Sequence, residues 1–518
     1  MNIGRIPARQ AAIRPDAEAI IDVPNDRRIT FRELDELVAR MANGLRGDLG
    51  LEQGDRVAIL SKNSIEFEAL YFADALAGLI TQPLNWRLST EELARIVNDA
   101  SPRAIVVADE FAEQAEKLRP HVDIEHWFHY GPDSDGSFQA LLDGASTAPP
   151  PWADEVGGDD PVFILYTGGT TGLSKGALHS HTSVFMGMLN QTVAERIVPT
   201  DVYMLTGQLF HIPIVLAMNY LQHGCPVVLI NFEPELALQV IERERVSAFL
   251  GITTMLNWLM AVEGFEDHDL SSLRNIQYGG GPMPSTVVRA ALEAFPCTLI
   301  QGYGQTEGTT MTFLSQEVHQ EAVEGKDVHR LRSCGRPGFV TEVRVVDPDG
   351  VDVPRDGQTP GEIIVRSEAN MLGYWNRPEE TAKTLRDGWM WTGDIAVWDE
   401  DHFLYIVDRA KDMIISGGEN IFSVQVEEAI NTHPGVLECA VIGVPDEEWG
   451  ERVKAFVVRK PGEQVSEDEI IDTARQHLAS YQKPRSVEFV DELPKAPTGK
   501  LLKRELREPF WDDRDRSV

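Results

Sequence analysis

The stretch that most constrains this chain runs from Phe163 to Ser180, FILYTGGTTGLSKGALHS. The apolar run Val162-Phe163-Ile164-Leu165 reads as a buried strand. It empties into Thr167-Gly168-Gly169-Thr170-Thr171-Gly172, and Lys175-Gly176 closes the loop. Glycines let backbone approach a ligand closely, and successive free N–H groups form an anion-binding concavity. Three threonine hydroxyls and a lysine add donors. This is chemistry for phosphate, as in a nucleoside triphosphate. The spacing is not that of the P-loop, because Lys175 does not directly follow the second glycine. The plainer alternative is an exposed turn between a strand and a helix.

Composition narrows the partners. With 47 Lys and Arg against 82 Asp and Glu in 518 residues, the formal net charge is -35, which disfavours nucleic acid and anionic membrane as general partners. A chain of this length suggests several units. Cys225, Cys297, Cys334 and Cys439 are scattered without metal-like spacing, so buried thiols in a reducing compartment are expected. The N-terminal stretch lacks an apolar core of signal-peptide type. No stretch reaches the length of a membrane span, and a cytoplasmic location is expected.

Residues 1–150 alternate strand and helix: a helix over 33–46, a strand over 55–60, a helix over 61–77 interrupted by Asp74, and strands at 78–80 and 104–107. That alternation predicts a doubly wound, largely parallel α/β sheet. Trp86 and Arg87 are expected to pack. Further strands are predicted at 227–230 and 247–250, with a helix from Pro234 between them. Phe210-His211 precedes an apolar stretch, where a histidine is ordinarily a satisfied core group. NIQYGGG (275–281) and LIQGYGQTE (299–307) repeat the pattern of strand and glycine exit. Ligands in such folds bind outside the carboxyl ends of strands. Glu307 suits a hard divalent cation beside phosphates, or simply a first-turn helix carboxylate. From about Arg336 short antiparallel strands predict a small β-barrel-like subdomain over about 336–408. The charged knot at 408–412 marks a boundary between an N-terminal domain, 1–408, and a compact α+β domain, 409–518.

YTGGTTGLSKG (166–176), GGGP (279–282), YGQTE (303–307), TGD (392–394), DRAKDMIISGGEN (408–420) and PKAPTGK (494–500) together resemble the adenylate-forming enzymes, above all their acyl- and aryl-CoA synthetases. The resemblance covers nearly the whole chain in the family's order. It implies that a carboxylate attacks the α-phosphate of ATP–Mg²⁺ to give an acyl-adenylate. The C-terminal domain then rotates, and coenzyme A displaces AMP. It further implies Thr167, Gly168, Gly169, Thr170, Thr171, Gly172 and Lys175 at the β- and γ-phosphates. Gly280, Gly281, Pro282, Gln301, Gly302 and Tyr303 would wall the adenine. Thr306 would meet the α-phosphate, and Glu307 with Thr171 the magnesium. Asp394 and Arg409 would hold the ribose, Lys411 would be the hinge, and Lys500 would bridge the carboxylate and α-phosphate. Gly417, Gly418, Trp449, Tyr481, Lys483 and Arg485 would serve CoA. His211 would stand between acid pocket and CoA tunnel in an orienting role. Gly168 and Ser174 depart from the family's usual serine and proline.

Within the family, His211 stands where amino-acid-activating domains carry an aspartate. The implied acid pocket of His211, Ile212, Pro213, Ile214, Tyr278, Gly279, Gly302, Met311 and Phe313 is apolar. It suits a monocarboxylic aryl, phenylpropenoid or medium-chain fatty acid. Two alternatives stay open: delivery of the activated acid to a carrier protein, and a non-catalytic nucleotide-binding homologue. The partners expected are the acid, ATP and CoA; a homodimer is left open.

Overall fold

The computed structural model describes residues 1–167, 174–281, 283–409, 411–417, 419–446, 449–495 and 501–511. Contacts group the chain into two units, Met1–Val343 with Val365–Met390, and Arg344–Ile364 with Trp391–Val518.

The first unit is built on two mixed sheets. The nine-stranded sheet runs Arg336–Pro337, Thr309–Leu314, Thr298–Gln305, Asn275–Gly279, Ala248–Leu250, Tyr203–Leu205, Val227–Leu229, Glu18–Asp22, Arg27–Thr30. Its interior pairs are parallel, and antiparallel strands close both edges. The seven-stranded sheet runs Gly373–Tyr374, Lys175–Ser180, Pro161–Thr167, Ile80–Leu84, Arg56–Leu60, Ala104–Ala108, His126–Tyr130. This is the α/β architecture expected. Near-continuous apolar strands such as Ala104–Ala108, buried throughout, are what helices covering both faces of a parallel sheet demand.

Polar caps set the start of several helices. Thr30 and Glu33 form a reciprocal capping box for Phe31–Ala42, which then continues as a wider-wound turn over Asn43–Asp48. Ser64 caps Ile65–Ala77, so that helix starts later than its apolar pattern suggests. Asp74 does not break it: fully buried, its carboxylate accepts from the Thr81 hydroxyl at 2.8 Å.

The segment around the glycine-threonine loop is a hairpin. Pro161–Thr167 and Lys175–Ser180 pair antiparallel, with Thr167 opposite Lys175, and the helix His181–Glu195 starts only afterwards. Gly176 makes the pairing possible, since a Cβ there would lie 2.5 Å from Ile164 Cγ2.

Most residues of a five-stranded sheet, Glu342–Val346, Gly361–Arg366, Trp389–Trp398, Leu385–Arg386 and Leu404–Arg409, fall in the second unit. That unit also holds the sheet Glu419–Ile421, Ile414–Ser416, Gly450–Arg459, Val436–Asp446, with Ser486–Phe489 parallel to Gly450–Arg459. Ile414, Val426, Ile430, Val441, Val457 and Ile470 share its core under the helices Ser423–Ile430 and Glu467–His477. All four cysteines are free. Among the described residues no helix is long and apolar enough to cross a membrane.

Candidate active site

In the nine-stranded sheet the chain order reverses at Tyr203–Leu205, which has Val227–Leu229 on one side and Ala248–Leu250 on the other. A crevice forms outside the carboxyl ends at such a switch point. Tyr203–Leu205 exits through residues 206–212, and the strands two and three places along the sheet exit through 279–281 and 305–307. The first is pinned by the helix Ile65–Ala77 and the loop before it: Asn63 donates to the Gly207 carbonyl at 2.8 Å and accepts from the Leu209 N–H at 2.9 Å, and the Tyr71 hydroxyl donates to the Leu209 carbonyl. Gly279 and Gly302 are register partners. A Cβ on Gly279 would lie 2.2 Å from the Gly302 carbonyl oxygen. Gly280 has φ +76° and open space around it, so this exit is bare backbone, suited to lie against a flat ring.

The seven-stranded sheet reaches the 305–307 turn through His179. Burial lowers its value to about 4, so the ring is neutral. Nε2–H therefore donates to the Thr306 carbonyl at 2.7 Å, and Nδ1 accepts from the Ser183 hydroxyl at 3.1 Å. The Glu307 carbonyl accepts from the Met371 N–H at 2.7 Å. The buried Glu307 carboxylate accepts from the Tyr374 hydroxyl at 2.7 Å. Lys175 Nζ sits 5.0 Å from the Tyr374 ring centroid, and Thr167 Oγ1 faces the Lys175 carbonyl at 3.4 Å. Lys175, the Tyr374 ring and Glu307 thus form one corner. Tyr374 and His179 were missed in the sequence; the structure shows that Gly373 has φ +151° and that a Cβ there would lie 2.7 Å from Thr381 Cγ2.

His211 is half-buried, its ring 4.7 Å from that of Phe210. Desolvation first, and then Arg87, lower its value to about 4. Its Nε2 has no hydrogen-bond partner among the described residues. Arg87 stacks on Trp86 at 4.4 Å and approaches Phe210 at 6.0 Å. Ile212 and Pro213 are half-buried and Ile214 is fully buried. Phe313 lies opposite Gly302 in register, with Met311 buried two residues earlier. Tyr278 turns into the core: its hydroxyl donates to His319 Nε2 at 2.8 Å, while His319 Nδ1–H donates to the Ser315 carbonyl. Gln301 and Gly302 are half-buried on the same strand that buries Tyr303.

In the second unit Asp394 and Arg409 are register partners, and Arg409 Nε reaches the Asp394 carboxylate at 3.2 Å. Gly393 donates its N–H to Glu362 at 2.9 Å, which fixes the strand just before Asp394. Lys411 is half-buried beside Asp412. Gly417, at φ +61°, donates to the Trp449 carbonyl at 2.8 Å, and a Cβ there would lie 2.6 Å from the indole. Trp449 and Tyr481 are 50% and 44% exposed, which leaves aromatic faces for a ligand. Lys483 is half-buried and Arg485 exposed at the start of Ser486–Phe489. Gly168, Gly169, Thr170, Thr171, Gly172, Pro282, Gly418 and Lys500 lie outside the described residues.

The sequence profile of the AMP-binding enzyme family matches residues 7–375, and that of the AMP-binding enzyme C-terminal domain matches residues 425–500. The chain is similar to a feruloyl-CoA synthase of Amycolatopsis sp, 37% identical over 98% of this chain and 99% of that protein. It is similar to the long-chain-fatty-acid–CoA ligase FadD13 of Mycobacterium tuberculosis, 34% identical over 98% of each. Among solved structures, the amide bond synthetase McbA of Marinactinospora thermotolerans superposes with a TM-score of 0.87 at 30% identity, covering 98% of this chain and 100% of that one. Profile, relatives and fold agree with the motifs: the chain belongs to the AMP-binding enzyme family, in its acyl- and aryl-CoA synthetase branch, and is an AMP-forming acid–thiol ligase.

Proposed function

We propose that this enzyme activates an apolar monocarboxylic acid, of the aryl, phenylpropenoid or medium-chain fatty class, and passes it to CoA. The observation that carries the reading is that Tyr374 joins Lys175 of the seven-stranded sheet to Glu307, which follows the strand of the nine-stranded sheet where Gly302 faces Phe313, with Met311 buried nearby. The relatives named above are a feruloyl-CoA synthase, which supports the phenylpropenoid part of this class, and a long-chain-fatty-acid–CoA ligase, whose chains are longer than those proposed. A methylene in an apolar pocket changes discrimination by about 1–3 kcal/mol, so a panel of acids must choose between them.

In the first half-reaction Lys175 and the glycine-threonine loop hold the β- and γ-phosphates. Thr306, its carbonyl fixed by His179, meets the α-phosphate. Glu307 is a hard oxygen donor with one oxygen engaged by Tyr374, which fits Mg²⁺ shared with nucleotide phosphates. Among the described residues no cluster of three or more His, Cys, Asp or Glu holds a metal alone. When bound, the ion would offset phosphate charge. Asp394, aligned by Arg409, accepts from the ribose hydroxyls. Lys500 opposes the charge that develops as the carboxylate attacks. His211, a weak base at about 4, orients the acid rather than taking a proton. In the second half-reaction the domain from about residue 409 acts as a lid that turns about Lys411. It brings Gly417, Trp449, Tyr481, Lys483 and Arg485 to CoA. Four free thiols and the acidic charge support a cytoplasmic enzyme.

The test is pyrophosphate release from ATP and Mg²⁺ over benzoates, cinnamates and C6–C12 acids, with and without CoA, alongside mass detection of thioester. The expected result is release on one of these classes and thioester only with CoA. Trp449→Ala should slow thioester formation several-fold more than adenylation. Adenylate without thioester would overturn CoA as the acceptor, and silence across the panel would overturn the acid class.

A further inference from the structure

The 305–307 turn is held by its backbone on both sides, by His179 at the Thr306 carbonyl and by Met371 at the Glu307 carbonyl. What remains free is rotation of the Glu307 side chain. A single phenol removes it. Tyr374 is itself fixed: its N–H donates to Thr381 Oγ1 at 2.9 Å, and it pairs with Ala177, two residues from Lys175, on the sheet edge. Its ring lies under the Lys175 ammonium at 5.0 Å, and its hydroxyl donates to Glu307 Oε1 at 2.7 Å.

A lysine and a glutamate on adjacent sides of one corner would ordinarily pair with each other, which would withdraw both from a ligand. A ring face attracts an ammonium without neutralising it, while a hydroxyl donates to a carboxylate and leaves its second oxygen available. We propose that Tyr374 is a positioning residue that keeps Lys175 and Glu307 apart and aimed, the ammonium toward nucleotide phosphate and the second Glu307 oxygen toward a divalent cation. The inference rests on the reading of Lys175 and Glu307 given above.

Two substitutions separate the two contacts. Tyr374→Phe keeps the ring and removes the hydroxyl; Tyr374→Leu removes both. The measurements are binding, not turnover: ATP to the full chain in EDTA by equilibrium dialysis, and Mn²⁺ to the ATP complex by electron paramagnetic resonance. Tyr374→Phe should bind metal-free ATP as the parent does but hold Mn²⁺ roughly tenfold more weakly, the scale of one lost hydrogen bond to a charged group. Tyr374→Leu should weaken both. A merely structural role would move both affinities together in Tyr374→Phe, and that result overturns the proposal. So does parental Mn²⁺ affinity in Tyr374→Phe while Glu307→Gln loses it. If Glu307→Gln also holds Mn²⁺ like the parent, the assignment of Glu307 to the metal falls and takes the proposal with it.

Discussion

Lys503 is the residue whose loss should be felt most in the second unit. Its ammonium lies 2.7 Å from Glu427 Oε1 and donates to Ser423 Oγ at 2.6 Å, and both side chains of the ion pair are nearly buried. Ser423 in turn donates to Asp408, whose carboxylate is also buried. One cation therefore serves two buried carboxylates. Burial already raises Glu427 above its ordinary value, and Lys503 is what opposes that rise; Asp408 behaves likewise. Lys503→Met keeps the length and removes the charge. Breaking a buried pair from one side costs about 3–5 kcal/mol. The cost has a sign in pH. A carboxyl raised in the folded state contributes stability that is fully present below its unfolded value and is lost as pH rises through the folded one. Each further unit of rise in Lys503→Met adds about 1.4 kcal/mol of penalty at neutral pH. The deficit against the parent should thus shrink as pH falls from 8 to 5. Hydrogen exchange in Ser423–Ile430 and Lys503–Trp511 reads this unit alone, which matters because a chain of several units does not melt as one. Glu427→Gln in the same chain should restore most of the loss. Equal exchange in parent and Lys503→Met at pH 8 would refute the argument.

Two further outcomes are expected. Glu68 is fully buried on Ile65–Ala77, neither carboxylate oxygen has a hydrogen-bond partner among the described residues, and burial pushes it up to about 8. Stability present below its ordinary 4.5 is lost as pH rises toward 8, on the order of a few kcal/mol. Glu68→Gln should flatten the fall in melting temperature over that window, and an unchanged slope would count against it. Gly279→Ala places a Cβ 2.2 Å from the Gly302 carbonyl oxygen, an overlap that costs about 1–3 kcal/mol or parts the strands. ATP affinity should fall with stability there, which dialysis and thermal melting together would show.

Local patterns carried much of this protein into view. The strands at 104–108 and 161–167 are short apolar runs that fit buried strands, and Gly279 and Gly302 stand where two strands come too close for a side chain. What local pattern does not carry is pairing between distant strands. Lys175–Ser180 reads equally well as a helix approach until Thr167 is found opposite Lys175. Tyr374 lies 67 positions from Glu307, and nothing in its immediate neighbours announces a carboxylate. Tyr278 shows the converse: its place near the end of a strand resembles a pocket wall, but His319, 41 positions on, draws its hydroxyl into the core. Side-chain direction was the missing quantity in each case.

The strand Gly373–Tyr374 is two residues long, and its brevity has a consequence for handling the protein. Lys175–Ser180 would otherwise be an open sheet edge. The N–H groups of Leu372 and Trp375 donate to the Leu178 and Gly176 carbonyls at 2.8 Å each, so the edge is sealed by a segment too short to template another chain. Substitutions that loosen this seal should therefore yield precipitate before they yield a slow enzyme. Loss of soluble protein after changes at Gly373 or Thr381 is the signature of an uncovered strand rather than of a damaged catalyst.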